Sequence, residues 1–295
     1  MSWMGKIIDF IKATRYNIGF VDGSLESIIA GEPIKVNWMK HSYKDRWFAD
    51  PFVLEVTDNE IIVLVEEWYD PIKRGRISKL IVDKFTYELK HLKVMIDESF
   101  HLSFPAITRK EDGIYIQPES SVNSQLVEYK YQKESDSFEK NVVISDLPLT
   151  DSVRTNLFGD DLLFSTKLPD ANGKELGVYI WNESDNKYVF KENYYFDENV
   201  SRMAGNIFAF DGKIFRPAQV CNKSYGDAVS LQEIIFKEGK FGFREIRRIY
   251  SPSRDFDLGF HTFNEYNGVI VVDALGFRRP KLARSLRRMR NIVKL

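Results

Sequence analysis

One cysteine and four histidines among 295 residues close off several kinds of chemistry before any pattern is sought. A lone thiol, Cys221, can form no intrachain disulfide and build no cysteine-based zinc site, so a reducing cytoplasm is the expected compartment. No apolar run reaches the ~18–20 residues of a membrane-spanning helix. The opening Met1–Gly5 lacks the basic start, long apolar stretch and small-residue cleavage site of a secretion signal. No Walker loop, Rossmann glycine fingerprint, HExxH pair or nucleophile elbow is present, and neither a cofactor nor a metal is expected. A net charge of −1 is equally uninformative until its distribution is considered. Of the 42 Lys and Arg residues, eight fall between Ala274 and Leu295, a stretch without an acid. The remaining body is therefore acidic, which repels backbone phosphates and speaks against a nucleic-acid partner.

What the chain does have is strand character. With 43% hydrophobic and 14% aromatic residues it is far from disorder. Short β-branched and aromatic runs such as Ile61–Glu66, Leu126–Tyr131, Gly177–Trp181 and Val269–Val272 are bounded by turn residues, including Asp112-Gly113, Asp211-Gly212 and Asn267-Gly268. Helical periodicity is confined to Trp3–Lys12 and Lys281–Val293. A phrase of three strands with two turns recurs, anchored at Asp50, Pro105, Ser152, Ala204 and Thr262, with a period of roughly fifty residues. Such a period, at three or four strands per unit, predicts an all-β, five-bladed propeller with short terminal helices. The fifth unit runs short of strands, and N-terminal strands near Ile34–Met39 are expected to complete it and leave no open edge. The expected divisions are residues 1–30 as helix and lead-in, 31–276 as propeller and 277–295 as a basic amphipathic tail.

In a propeller the innermost strands line a central channel, and here their starts and the ends of the next strands are polar. Arg46, Asp50, His101, Asp151, Arg154, Arg202 and His261 sit at inner-strand starts; Glu66, Glu67, Gln117, Glu119, Lys167, Arg216 and Gln219 sit at the ends of second strands. Equivalent positions in successive repeats converge on one end of the axis, predicting a charge-mixed pocket there.

The segment Arg46-Trp47-Phe48-Ala49-Asp50-Pro51-Phe52 resembles the first-blade signature of five-bladed propeller glycoside hydrolases of the arabinanase and β-xylosidase type. That resemblance implies a general base at Asp50. A narrower group is matched by His101–Pro105, Pro118–Ser120, Arg202–Gly205, Arg216–Gln219, Tyr225-Gly226 and Gly259–Asn264. Together these resemble bacterial surface-glycan biosynthesis proteins, which are similar to the N-terminal domain of plant glucosamine inositolphosphorylceramide transferase. The propeller glycosidases carry a second acid at the start of blade two and a Glu general acid at the start of blade three. This chain has Ser103-Phe104-Pro105 and Thr150-Asp151-Ser152 there, leaving Asp151 and Glu119 as candidates for the second carboxyl.

The resemblance implies a carbohydrate-active enzyme of surface-polysaccharide assembly, of the capsule or O-antigen kind. A glycosyltransferase using a phosphate-activated sugar donor and a glycan or lipid-linked acceptor is the first expectation. Asp50, Glu119 and Asp151 would be catalytic; Arg46, Glu67, His101, Arg154, Lys167, Arg202, Arg216, Gln219 and His261 would bind substrate. Arg202 and Arg216 in particular would grip the phosphate, since guanidinium meets phosphate bidentately. A glycoside hydrolase or phosphorylase, and a non-catalytic glycan-binding module, are the alternatives. In the tail, Leu282, Leu286, Met289 and Val293 recur at helical spacing among arginines, a pattern suited to the anionic inner face of the cytoplasmic membrane.

Overall fold

Runs of consecutive buried residues along the inner strands, such as Phe48–Leu54, give sheets packed on both faces, and here the sheets radiate around a channel. The computed structural model describes residues 13–285. Blade one is β3 (Arg46–Val56), β4 (Glu60–Tyr69), β5 (Arg74–Asp83) and β6 (Leu89–Ile96). Blade two is β7 (Ser103–Lys110), β8 (Gly113–Glu119), β9 (Leu126–Gln132) and β10 (Ser137–Ser145). Blade three is β11 (Leu149–Leu157), β12 (Asp160–Lys167), β13 (Glu175–Asn182) and β14 (Lys187–Tyr195). Blade four is β15 (Phe208–Phe210), β16 (Lys213–Val220), β17 (Ala228–Lys237) and β18 (Lys240–Ile249). All pairings are antiparallel, and the five four-stranded sheets form a five-bladed β-propeller.

The fifth blade joins the two ends of the described chain. β19 (Phe263–Tyr266) and β20 (Val269–Phe277) are followed outward by β1 (Thr14–Asp22) and β2 (Lys35–Trp38). The expected strand near Ile34–Met39 is therefore there, but as the outermost strand. Between it and β20 lies β1, paired from Thr14↔Phe277 to Phe20↔Val271. The division at residue 31 is thus corrected, because Thr14–Asp22 belongs to the propeller. Its residues Tyr16–Phe20 are all buried, held between β20 and β2 on either side. The short helix α1 (Leu25–Ile29) links β1 to β2, its Ser24 side chain accepting from the Ser27 amide at 3.2 Å. Residues 280–285 are helical; the expected helix over Trp3–Lys12 and the tail beyond Ser285 lie outside the described residues. Among the described residues no helix is long and apolar enough to cross a membrane.

The interior is a belt of apolar side chains between neighbouring blades, including Phe52, Phe104 and Phe164, and Ile18, Phe48 and Val271. Burying each such side chain contributes about 1.5–3 kcal/mol. Three inner strands break register at the same place. Residues 50 and 51 stand opposite Val65 alone, 104 and 105 opposite Pro118, and 151 and 152 opposite Ser165. The first residue of each bulge has positive φ: 50° at Asp50, 42° at Phe104 and 45° at Asp151. A bulge re-aims the side chain it carries, and a left-handed non-glycine residue is a strained one. Three blades therefore hold the same distortion at the same end of the channel.

Candidate functional site

Each bulge presents its backbone amide to a carboxylate from the blade before it. Asp50 N donates to Asp273 Oδ2 at 2.8 Å, Phe104 N to Asp50 Oδ2 at 3.2 Å, and Asp151 N to Glu119 Oε2 at 3.3 Å. These bonds tie blades five, one, two and three together and gather Asp50, Glu119, Asp151 and Asp273 at one end of the channel. Glu66, buried at the end of β4, feels the charges of Asp50, Glu119, Asp273 and Asp151, which with burial push its carboxyl well above the usual range. Five buried acids thus share one site with few cations to answer them.

The cations are His261 and Arg202. His261 Nδ1 lies 2.7 Å from Asp273 Oδ1, and its Nε2 lies 3.8 Å from Asp50 Oδ1. Burial opposes the imidazolium, yet Asp273 and Asp50 raise its pKa to about 9. Asp273, which also accepts from the amides of His261 and Thr262, is held below the ordinary carboxylate range despite burial. Asp50 moves the other way, raised by burial and by Asp273 and Asp151 against the pull of His261. Thr262 Oγ1 donates to Asp50 Oδ1 at 2.8 Å. Arg202 bridges the far side, donating from Nε to Asp151 Oδ2 at 2.6 Å and from Nη2 to Glu119 Oε2 at 2.9 Å. Gln219 Nε2 donates to the same Asp151 oxygen at 2.6 Å. Burial and Glu119 nevertheless raise Asp151 to about 7.

Aromatic rings wall this cluster. Tyr16 stacks on the His261 imidazole at 4.6 Å, and Tyr225 meets its edge at 5.3 Å while lying under the Arg202 guanidinium. Trp47 and Trp68 are parallel at 5.5 Å beside His101 and Tyr16. His101 accepts from the Gly75 amide through Nδ1 at 2.8 Å and is kept neutral by burial and by Arg74. A Cβ on Gly75 would sit 2.6 Å from Glu66 Oε1 and 2.7 Å from His101 Cε1, so only glycine lets this pair approach. Likewise Gly226 has φ +59° and packs on the His261 side chain.

Of the expected site residues, Asp50, Glu119, Asp151, Arg202, Gln219 and His261 come together in this network, with His101 at its edge, 3.6 Å from Glu66. The others go elsewhere. Glu67 is fully buried, bonded to Arg46 at 2.7 Å and to Arg76 and Ser78. The pleat turns Glu66, not Glu67, to the channel site. Arg46 serves Glu67 and Asp45. Arg154 lies three residues past Asp151 toward the other end of the channel, paired with Asp161 and Glu128 beside a cavity of about 460 Å³. Lys167 is exposed at the end of β12.

A phosphate grip by Arg216 is corrected outright. Its side chain has no exposed surface, lies against the Phe196 and Phe243 rings, and donates to the carbonyls of Val200 and Ser201. Its Nε and Nη1 find no partner there, and burial lowers its pKa to about 9. Sequence reasoning passed over Asp273, Tyr16, Tyr225 and Thr262 as site residues, and placed Glu66 at the pocket without giving it a role. One signal was available for Asp273: an acid inside the apolar run Val269–Leu275 needs a buried partner.

Asp50, His261 and Asp273 offer ligand-type atoms within 4.8 Å of one another, the composition of a metal site. Those atoms are bonded among themselves, with Thr262 and backbone amides completing the set, an arrangement of an ion-paired imidazolium rather than of open ligands.

Known proteins share parts of this sequence and this fold. A family model described as "Glucosamine inositolphosphorylceramide transferase 1, N-terminal" matches residues 34–258, and the chain belongs to this family. Plant proteins named glucosamine inositolphosphorylceramide transferase 1 are similar to it. The one from Oryza sativa subsp. japonica is 27% identical over 205 residues, covering 65% of this chain and 27% of that protein. The one from Arabidopsis thaliana is 28% identical over 235 residues, covering 76% of this chain and 29% of that protein. The chain thus spans less than a third of the plant proteins it matches. Solved structures share the propeller at low identity. An exo-β-1,3-galactanase from Phanerochaete chrysosporium superposes with TM-score 0.54 at 8% identity, covering 76% of this chain and 55% of that one. A β-xylosidase/α-arabinofuranosidase from a compost metagenome does so with TM-score 0.54 at 11% identity, covering 81% and 93%.

Proposed function

We propose that this member of the glucosamine inositolphosphorylceramide transferase N-terminal family transfers a sugar from a phosphate-activated donor to a glycan or lipid-linked acceptor, in the assembly of a bacterial surface polysaccharide. One observation carries the reading: Asp50 and Asp151, on equivalent bulges of blades one and three, are both raised toward neutrality while Asp273 stays ionised. Two carboxyls on equivalent bulges at one end of the channel are placed to share base and acid roles, and Asp273 keeps the imidazolium beside them paired. Asp50 takes the proton of the acceptor hydroxyl as its oxygen attacks the anomeric carbon. The bond from that carbon to the phosphate oxygen breaks, and the phosphate leaves with the electron pair. Asp151, protonated below about pH 7, supplies a proton to the leaving oxygen. His261 and Asp273 hold Asp50 from behind, Arg202 and Glu119 hold Asp151, and Trp47 and Trp68 offer flat apolar faces to a sugar ring.

The test is Asp50→Asn assayed with a panel of nucleotide-sugar donors and glycolipid acceptors, reading nucleotide release. General-base removal is expected to lower turnover about 10²–10⁴-fold with folding unchanged. Turnover at the wild-type rate would sink the assignment. A second reading, hydrolysis of a glycoside, draws support from the same two carboxyls. It is weakened by Phe104, which occupies the blade-two bulge where a further acid would stand and offers only its amide to Asp50. Clear cleavage of aryl glycosides without any activated donor would reverse the order. Glycan binding without turnover on any donor would instead favour a non-catalytic module.

The proposal extends to place. The basic residues from Arg278 to Lys294 suit the anionic inner face of a cytoplasmic membrane, where a lipid-linked acceptor is within reach.

A further inference from the structure

The cations in the channel site are already committed. Arg202 answers Asp151 and Glu119, and His261 answers Asp273. A phosphate-bearing substrate needs cations elsewhere, and the described residues place a set of them at the seam between blades five and one. A cavity of about 230 Å³ is lined by Arg15, Lys44, Arg46, Arg278 and Arg279, with no acid among its lining residues. Arg46 is matched by Asp45 and Glu67, and Arg278 by Asp70. Arg15 and Lys44 have no carboxylate partner among the described residues.

Arg15 is the informative member. Its Nε is buried without a hydrogen-bond partner, and Nδ1 of His41 is buried in the same condition. Burial, with the Arg15 charge beside it, lowers the His41 pKa to about 4, and among the described residues no carboxylate pairs with this guanidinium. Arg278 adds like charge. An unpaired, half-buried guanidinium is costly unless something from solution completes it. Strand β1 carries Arg15 next to Tyr16, and successive strand residues point to opposite faces. Tyr16 stacks on His261 in the channel site, so neighbouring residues of one strand serve the seam cavity and the channel site.

We infer that the seam cavity binds a phosphate group, as a monoester or a diphosphate, through Arg15 and Lys44 with Arg278 and Arg279 around it. The inference rests on the proposed transfer reaction for its substrate and names the part of the protein that holds the phosphate. Guanidinium and ammonium together suit such a dianion: Arg makes paired hydrogen bonds, and Lys supplies a mobile charge. The phosphate can come from a soluble donor or from a lipid headgroup, and the experiment separates the two.

The full chain is titrated by calorimetry with pyrophosphate at low ionic strength, and in parallel sedimented with phosphatidic acid vesicles against phosphatidylcholine vesicles. Lys44→Gln changes an exposed side chain, and Arg15→Gln removes the unmatched charge. Each is expected to weaken binding about tenfold, while Lys237→Gln at the exposed end of β17 leaves it unchanged. Pyrophosphate binding at one equivalent, weakened by both substitutions, assigns a soluble phosphate. Vesicle binding weakened by both, with no pyrophosphate binding, assigns a lipid phosphate. If Arg15→Gln fails to fold, Lys44→Gln alone decides. Binding of neither probe, or binding indifferent to the substitutions that fold, overturns the site. Because the readout is binding, its failure is distinct from failure of the Asp50 turnover test.

Discussion

At the scale of single residues the site is governed by Asp273. Its two oxygens accept from the Asp50, His261 and Thr262 amides and meet the His261 ring. Asp273→Asn leaves a buried imidazolium without its partner and is expected to cost about 3–5 kcal/mol in denaturant unfolding. The pair also sets a pH dependence. His261 is raised from 6.5 to about 9, so its contribution is fully present below pH 6.5 and lost as pH rises through 9. Asp151, raised from 3.8 to about 7, acts with the same sign over a lower window. The thermal midpoint is therefore expected to fall between pH 6 and 9, and the fall should be shallower in Asp273→Asn; a flat wild-type profile would contradict the pairing. Asp50, Asp151 and His261 were legible because they open recurring repeats. Glu66 against Glu67 was not, since neighbouring strand residues face opposite sides and only register decides between them. Arg216 misled for a related reason: read as a strand end, it stands in the middle of β16 and faces Phe196 and Phe243 instead of the channel site.

At the scale of elements the bulge repeated in blades one, two and three is the unit that makes the site, taking one residue of each out of the regular pleat. The five repeats could be read from the sequence because turns and apolar runs recur at a steady period. The closing strand β1 could not, because Thr14–Asp22 mixes Arg, Asn and Gly with its core residues. Its Asn17 is buried and donates to the Met39 carbonyl at 2.9 Å, and Gly19 sits where a Cβ would strike Val36. Polar and small residues here serve packing between β20 and β2, which dilutes the strand signal. The closure is expected to be energetically prominent. Ile18→Ala, at a fully buried position of β1, should lower unfolding free energy by about 2–5 kcal/mol in a denaturant titration. A change below half a kcal/mol would mean that β1 contributes little to the core.

At the scale of the whole molecule an acidic propeller carries a basic flank that begins at the seam. The first helical residues of the tail are fastened to the body: Ala283 is buried, and Arg284 bonds Asp255 at 2.6 Å. The truncation that tests membrane attachment therefore starts after Ser285 and spares these contacts. Its removal is expected to reduce sedimentation with anionic vesicles at low salt, each lost basic residue forfeiting about 1 kcal/mol near the surface. Undiminished sedimentation would assign attachment to another part of the chain. The seam has a mechanical consequence as well. Thr14 and Phe277 are partners at one end of an antiparallel pair, so tension applied to the two flanking segments acts crosswise on β1 and β20. The hydrogen bonds then meet the load one after another, from Thr14↔Phe277 inward to Phe20↔Val271, instead of sharing it. Once the Arg278–Asp70 and Arg284–Asp255 ties have let go, the pair opens like a zip, and the tug passes along β1 to Tyr16 at the edge of the channel site.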